Sequence, residues 1–98
     1  MALNKDFILR KLVENKEQII SYGVKKIGLF GSYSKGKQTK NSDLDFLVTF
    51  DENTFDNFMD LKFFLEDIFK RKVDLVIEES IKPSLKHIRK EAVYDKGF

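Results

Sequence analysis

Ninety-eight residues with 42% apolar content, ten of them Phe, are enough for one core, and the chain reads as a single domain over 1–98. The absence of Cys excludes disulfides, zinc–thiolate sites and cysteine nucleophiles, and no apolar run is long enough for a membrane span or signal peptide, so a cytoplasmic protein is expected. Eighteen basic against 16 acidic residues leave a net charge of +2, a mixed surface on which direct nucleic-acid binding is not expected.

From Lys5 to Tyr22, Ile8, Leu12 and Ile19 fall with Leu9, Val13 and Ile20 on one stripe at helical spacing, and Gly23 stands where a helix stop belongs. Lys25 to Phe30 reads as a short strand entering Gly31-Ser32. Tyr33 to Lys37 has room for one helical turn, and Gln38 to Ser42 is a polar loop. Asp43 to Phe50 alternates and is rich in β formers, which predicts a strand. Thr54 is placed to cap a helix reaching about Phe69, with Phe55, Phe58, Met59, Leu65 and Phe69 turned inward. Val73 to Ile77 predicts a third strand, Pro83 opens a last helix to about Lys90, and Ala92 to Tyr94 adds a short extended piece. This order is that of a small α/β (α+β) fold, a sheet with helices packed against it.

Three carboxylates stand where strands would bury apolar residues. In a strand, alternate side chains share a face, so Asp43 and Asp45 project together about 7 Å apart, while Leu44, Phe46 and Val48 supply the opposite, apolar face. Two acids so placed can bridge Mg²⁺ ions roughly 3.5–4 Å apart. Asp74 interrupts the apolar run Val73-Asp74-Leu75-Val76-Ile77, and an acid there needs a metal, a cationic partner or an exposed edge. Arg71 or Lys72 would serve as that partner if Asp74 is read alone. Beside Asp43 and Asp45 on a neighbouring strand, a set of three oxygen ligands for Mg²⁺ is the better reading.

The Gly31-Ser32 turn supplies the complementary half. Glycine allows backbone amides to approach an anion, a following helical turn aims its N–H groups at phosphate, and the Ser32 hydroxyl adds a donor. The run from Gly31 to Gln38 nearly matches a P-loop, but Gln38 stands where Ser or Thr should coordinate magnesium. Only Thr39 to Ser42 then separate Gln38 from Asp43, leaving no room for the long helix a P-loop lysine opens, so that reading is rejected. Lys35, Lys37 and Lys40 lie beside the turn, either solvated or gripping triphosphate. His87 stands alone in a basic segment and has no second ligand near it in sequence.

Gly31-Ser32-Tyr33-Ser34-Lys35-Gly36 followed by Ser42-Asp43-Leu44-Asp45 resembles the signature of the minimal nucleotidyltransferases of the DNA polymerase β-like superfamily. Lys72 to Val76 and Ile88 to Tyr94 resemble that family's closing strand and helix. The likeness runs through nearly the whole chain from Ile27 onward. One departure is Ser34-Lys35 in place of Ala-Arg, which keeps the charge but loses the planar bidentate fork.

The resemblance implies a small mixed β-sheet of the DNA polymerase β-like nucleotidyltransferase fold. It also implies nucleotide binding by Gly31, Ser32, Lys35 and Ser42, and two Mg²⁺ ions held by Asp43, Asp45 and Asp74, with ATP as substrate. Small proteins similar to this one pair with HEPN-domain toxins and act as antitoxins by transferring AMP to a toxin tyrosine, so a HEPN partner is expected. Two other readings stand beside it: a non-catalytic module that neutralises its partner by occlusion, and a catalytic subunit modifying a small-molecule acceptor. Occlusion alone needs no set of acids, so the presence of Ser32, Asp43, Asp45 and Asp74 together favours the enzyme.

Overall fold

In the computed structural model, which describes residues 3–98, the first helix (α1, Lys5–Glu14) begins where the Asn4 side chain accepts a hydrogen bond from the Phe7 N–H at 2.9 Å. The stripe expected to run unbroken to Tyr22 is interrupted at Asn15. Its backbone (φ −106°, ψ 19°) leaves helical geometry while its Nδ2 donates to the Lys11 carbonyl at 2.9 Å, so a second helix (α2, Lys16–Ile20) starts afresh. Asn competes for backbone groups in this way, which periodicity alone does not register. The break shifts the helical phase: Ile8, Leu9, Leu12 and Ile19 are buried, but Ile20 turns outward.

Gly23, at φ 81°, reverses the chain into the first strand (β1, Val24–Phe30). A single helical turn (α3, Ser32–Lys35) leads through the polar loop to β2 (Leu44–Phe50). Thr54 caps the long helix (α4, Phe55–Phe69) as expected, its side chain accepting from the Asn57 N–H at 3.1 Å, and β3 follows at Val73–Ile77. Leu65 and Phe69 are buried and Phe58 packs against the core, whereas Phe55, expected inward, is 77% exposed. It occupies the helix's first turn, a quarter-turn or more from the buried line through Leu61, Leu65 and Phe69. The last helix is also shorter than expected. Two 3₁₀ turns (Glu78–Ser80, Pro83–Leu85) precede α5 (His87–Glu91). Of this stretch only Ile88 is buried, so little apolar burial offsets the cost of nucleating a longer helix.

The sheet has the order β1-β2-β3, with β1 antiparallel to β2 and β2 parallel to β3, the parallel pair being joined through α4. A bulge between Val24 and Lys26 keeps Val24 on the same face as Ile27 and Leu29. That face, with Leu44, Phe46, Val48, Phe50 and Val73, packs against Ile8, Leu12, Ile19, Leu61, Leu65 and Phe69 as one core. The extended piece expected near the C-terminus is present: Val93 forms a two-bond bridge with Leu29 (2.9 and 2.7 Å) on the outer edge of β1. Tyr94 then lies over Gly28, where an added Cβ would meet its ring, with Lys26 Nζ 4.3 Å from the ring centroid. One face of the sheet is thereby committed to the core, while the other buries Leu47 at its centre and carries Asp45, Thr49 and Asp74 around it.

Candidate active site: a glycine turn beside paired carboxylates

Strand alternation decides what the second face carries. On β2 the residues that alternate with Leu44, Phe46 and Val48 are Asp45, Leu47 and Thr49. The parallel register sets Asp45 directly opposite Asp74, and adjacent strands lie about 4.8 Å apart, so the two carboxylates stand side by side on one face. Asp43 lies just before β2 begins, at the margin of this pair. On the other side of Asp45, the antiparallel register pairs it with Phe30, which brings the next residue, Gly31, against the Asp45 side chain. Gly31 adopts φ 79°, and a Cβ there would collide with Asp45 Oδ2. Both the backbone conformation and the close approach therefore require glycine. The end of β1, the start of β2 and the start of β3 converge on one spot.

Electrostatics mark the same spot. Burial, then the Asp74 carboxylate, then that of Asp43, push the Asp45 carboxyl from its ordinary 3.8 up to about 6. Three acids that repel one another on a half-buried surface form a donor set of hard oxygens, the kind that suits Mg²⁺. Among the described residues no three acids are drawn together closely enough to enclose an ion by themselves. This is consistent with a site that takes the rest of its ligands from phosphate and water, as Mg²⁺ sites commonly do. The residues present fit a divalent ion held against a nucleotide.

The turn after Gly31 is short and well fastened. Ser34 Oγ donates to the Gly31 carbonyl at 2.8 Å, and the Lys37 N–H donates to the Ser32 carbonyl at 2.9 Å. Gly36 closes the turn at φ 70°. The first N–H groups of such a turn have no intrahelical acceptor and remain available. Lys35 behaves differently from a free phosphate ligand: its Nζ pairs with Glu91 Oε1 at 3.0 Å, tying the turn to α5. Ser42 is occupied in its own loop, where its Oγ accepts from the Thr39 N–H at 2.8 Å and shapes the approach to Asp43.

Two positioning contacts have no counterpart in the motif. Glu66 Oε2 on α4 accepts the Val73 N–H at 3.0 Å, fixing the chain one residue before Asp74. Thr49 Oγ1 donates to Glu78 Oε2 at 2.6 Å, while Arg89 donates to the Glu78 carbonyl at 3.1 Å. Glu66 is one of four acids in α4, and no pattern in the sequence singles it out from Asp56, Asp60 and Asp67. His87 is exposed, as expected of a residue in this basic segment.

Comparison with known proteins decides the family. A family model described as a nucleotidyltransferase domain matches residues 8–95. The chain belongs to the nucleotidyltransferase domain family. A Thermococcus cleftensis relative, protein adenylyltransferase MntA, is 40% identical over 81 residues, which cover 81% of this chain and 82% of that protein. A solved structure assigned as a minimal nucleotidyltransferase superposes with a TM-score of 0.71 at 33% identity, covering 87% of this chain and 93% of the other. A second structure holds a tri-AMPylated Shewanella oneidensis HEPN toxin in complex with an MNT antitoxin. There the match has a TM-score of 0.56 at 26% identity, over 86% of this chain and 69% of that one. The mixed three-stranded sheet with its helices is the minimal nucleotidyltransferase fold, as the motif implied. No helix among the described residues is long and apolar enough to cross a membrane.

Proposed function

We propose that this nucleotidyltransferase is an antitoxin that transfers AMP from ATP to a tyrosine hydroxyl of a HEPN-domain partner. The observation that carries the reading is the juxtaposition of Gly31 with Asp45, and of Asp45 with Asp74, on one sheet face. The relative named protein adenylyltransferase and the MNT antitoxin complexed with an AMPylated HEPN toxin support the choice of donor and acceptor.

In the proposed reaction the Gly31-Ser32 amides and the Ser32 hydroxyl hold the β and γ phosphates. Asp43, Asp45 and Asp74 would hold the magnesium ions, which when bound neutralise charge on the α phosphate and the leaving pyrophosphate. Asp74, the more exposed acid of the facing pair, accepts the phenolic proton as the tyrosine oxygen forms its bond to the α phosphorus. The bond from that phosphorus to the bridging oxygen breaks, and pyrophosphate departs with the bonding pair. Binding and orientation dominate, as they do in phosphoryl-type transfer generally. Lys35 fastens the turn through Glu91 rather than contributing its full charge to phosphate.

The test is to incubate the protein with the product of the neighbouring gene, ATP and Mg²⁺, and read intact masses. The expected result is a partner heavier by one or more AMP units, lost with Asp43→Asn. Full neutralisation of the partner at unchanged mass would replace this reading with occlusion.

A further inference from the structure

The proposed reaction brings the acceptor hydroxyl to Asp74, and Asp74 lies on a strand with one open side. Among the described residues β3 pairs with β2 alone. The Leu44 N–H donates to the Lys72 carbonyl at 2.9 Å, with Leu44 opposite Val73. In a parallel ladder that bond fixes the rest: the backbone groups of Asp74 and Val76 turn to β2, and those of Val73, Leu75 and Ile77 turn outward. Glu66 Oε2 takes the Val73 N–H, and no other side chain among the described residues accepts from the backbone of β3. The Leu75 and Ile77 N–H groups meet no backbone acceptor either. Open edges are usually blunted by Lys, Pro or a bulge, and Val73–Ile77 has none of these. Asp74 is exposed, and Leu75, Val76 and Ile77 are partly so.

An extended segment laid along this edge would bond the free backbone groups of Leu75 and Ile77 with its own. Paired residues on neighbouring strands share a face, so its residue opposite Asp74 turns its side chain to the catalytic face whichever way the segment runs. The residues on either side of that one fall on the opposite face. There they meet the part of Leu75 and Ile77 that packing against the core leaves exposed. A second copy of the chain fits the edge less well. The antiparallel register that bonds Leu75 of one copy to Ile77 of the other sets each Asp74 opposite the second copy's Glu78, and like charges so placed repel.

We propose that the open edge of β3 binds the acceptor polypeptide as an added strand, in extended conformation, with its reactive tyrosine opposite Asp74 and apolar residues on either side of that tyrosine. This rests on the reading of the chain as a protein adenylyltransferase. Affinity comes from main-chain bonds to Leu75 and Ile77, and selectivity from the three acceptor side chains nearest Asp74. Nucleotide enters from the Gly31 side of Asp45, so the two substrates approach the acids from opposite edges of the site.

The test reads amide hydrogen exchange by NMR in the wild-type protein with Mg²⁺ and α,β-methylene-ATP, which cannot transfer AMP, before and after adding the product of the neighbouring gene. The Leu75 and Ile77 amides should exchange slower by about tenfold or more once that protein is bound, while those of Asp74 and Val76, already bonded to β2, stay slow throughout. Transfer kinetics with ATP supply the second readout. Ile77→Pro removes one outward N–H at a position where an edge strand tolerates proline. It should lower kcat/KM for the acceptor by about tenfold or more with ATP·Mg²⁺ affinity unchanged, and Ile77→Val, which keeps the N–H, should match wild type. Should Ile77→Pro not fold, exchange in the wild type alone decides. AMP transfer by a protein whose Leu75 and Ile77 amides exchange as in the free state would overturn the proposal while leaving the adenylyltransferase reading intact. So would wild-type kcat/KM in folded Ile77→Pro. A wild type that transfers no AMP to the neighbouring product would overturn both. Protection of the two amides in the protein alone, growing with its concentration, would assign the edge to a second copy and overturn the proposal.

Discussion

At the scale of single residues, the site is defined by a collision and a repulsion. Gly31→Ala must find room for a Cβ against Asp45 Oδ2 and hold φ 79° with an L side chain. A cost of about 1–3 kcal/mol is expected in denaturant unfolding, with transfer activity lost because Asp45 is displaced. The repulsion predicts a pH dependence of opposite sign to the usual carboxylate. Asp45 binds its proton more tightly folded, near pH 6, than unfolded at 3.8. Between about pH 4 and 6 the native state therefore holds more protons, and its stability falls as pH rises through that window. In the absence of divalent cations, melting temperatures across this range should be flatter for Asp45→Asn than for wild type, and higher for the variant at neutral pH. A wild-type stability that climbs with pH through the window, by an amount the variant shares, would show that Asp45 is not strained in this way.

At the scale of elements, what matters is how three strand ends are held in register. Glu66 does this for β3 by accepting the Val73 N–H, and Asp74 is the next residue. Glu66→Ala leaves that amide without its partner and is expected to cost about 1–3 kcal/mol. Its kcat should fall more than its ATP affinity does, whereas Glu66→Gln, which keeps an acceptor, should retain most of both. The Lys35–Glu91 pair is more exposed, so Glu91→Gln is expected to change stability by less than about 1 kcal/mol in thermal melts.

The same scale shows which parts of the molecule the sequence makes legible. β3 is readable to the residue, because five β-forming positions are bounded by polar ones; β2 is misjudged only by including Asp43, which belongs to the loop. The α4 cap at Thr54 is local chemistry and equally readable. The break at Asn15 is not, since one side-chain hydrogen bond overrides a stripe that would otherwise continue. Lys35 has a local motif role but a distant partner, and no pattern within the loop points to Glu91. Phe55 misleads because aromatic content signals burial on average, whereas its place at the helix's start turns it to solvent.

At the scale of the whole molecule, the division of the sheet into a face packed on the helices and a face that carries Asp45 and Asp74 beside a buried Leu47 explains how so short a chain carries a site. Helices α1, α2 and α4 and the inner strand residues form the core, which leaves the half-buried Asp45 and the exposed Asp74 side by side on the reverse, beside the Gly31 turn. The central claim is that these elements act as one catalytic unit. Its most direct test is single-turnover transfer of α-phosphate-labelled AMP from ATP to the proposed HEPN partner, comparing wild type with Asp45→Asn and Asp74→Asn. Both variants should be folded, bind the partner as wild type does, and transfer slower by roughly a thousandfold or more, as expected when groups that neutralise transition-state charge are removed. Transfer at the wild-type rate by either folded variant would contradict the account.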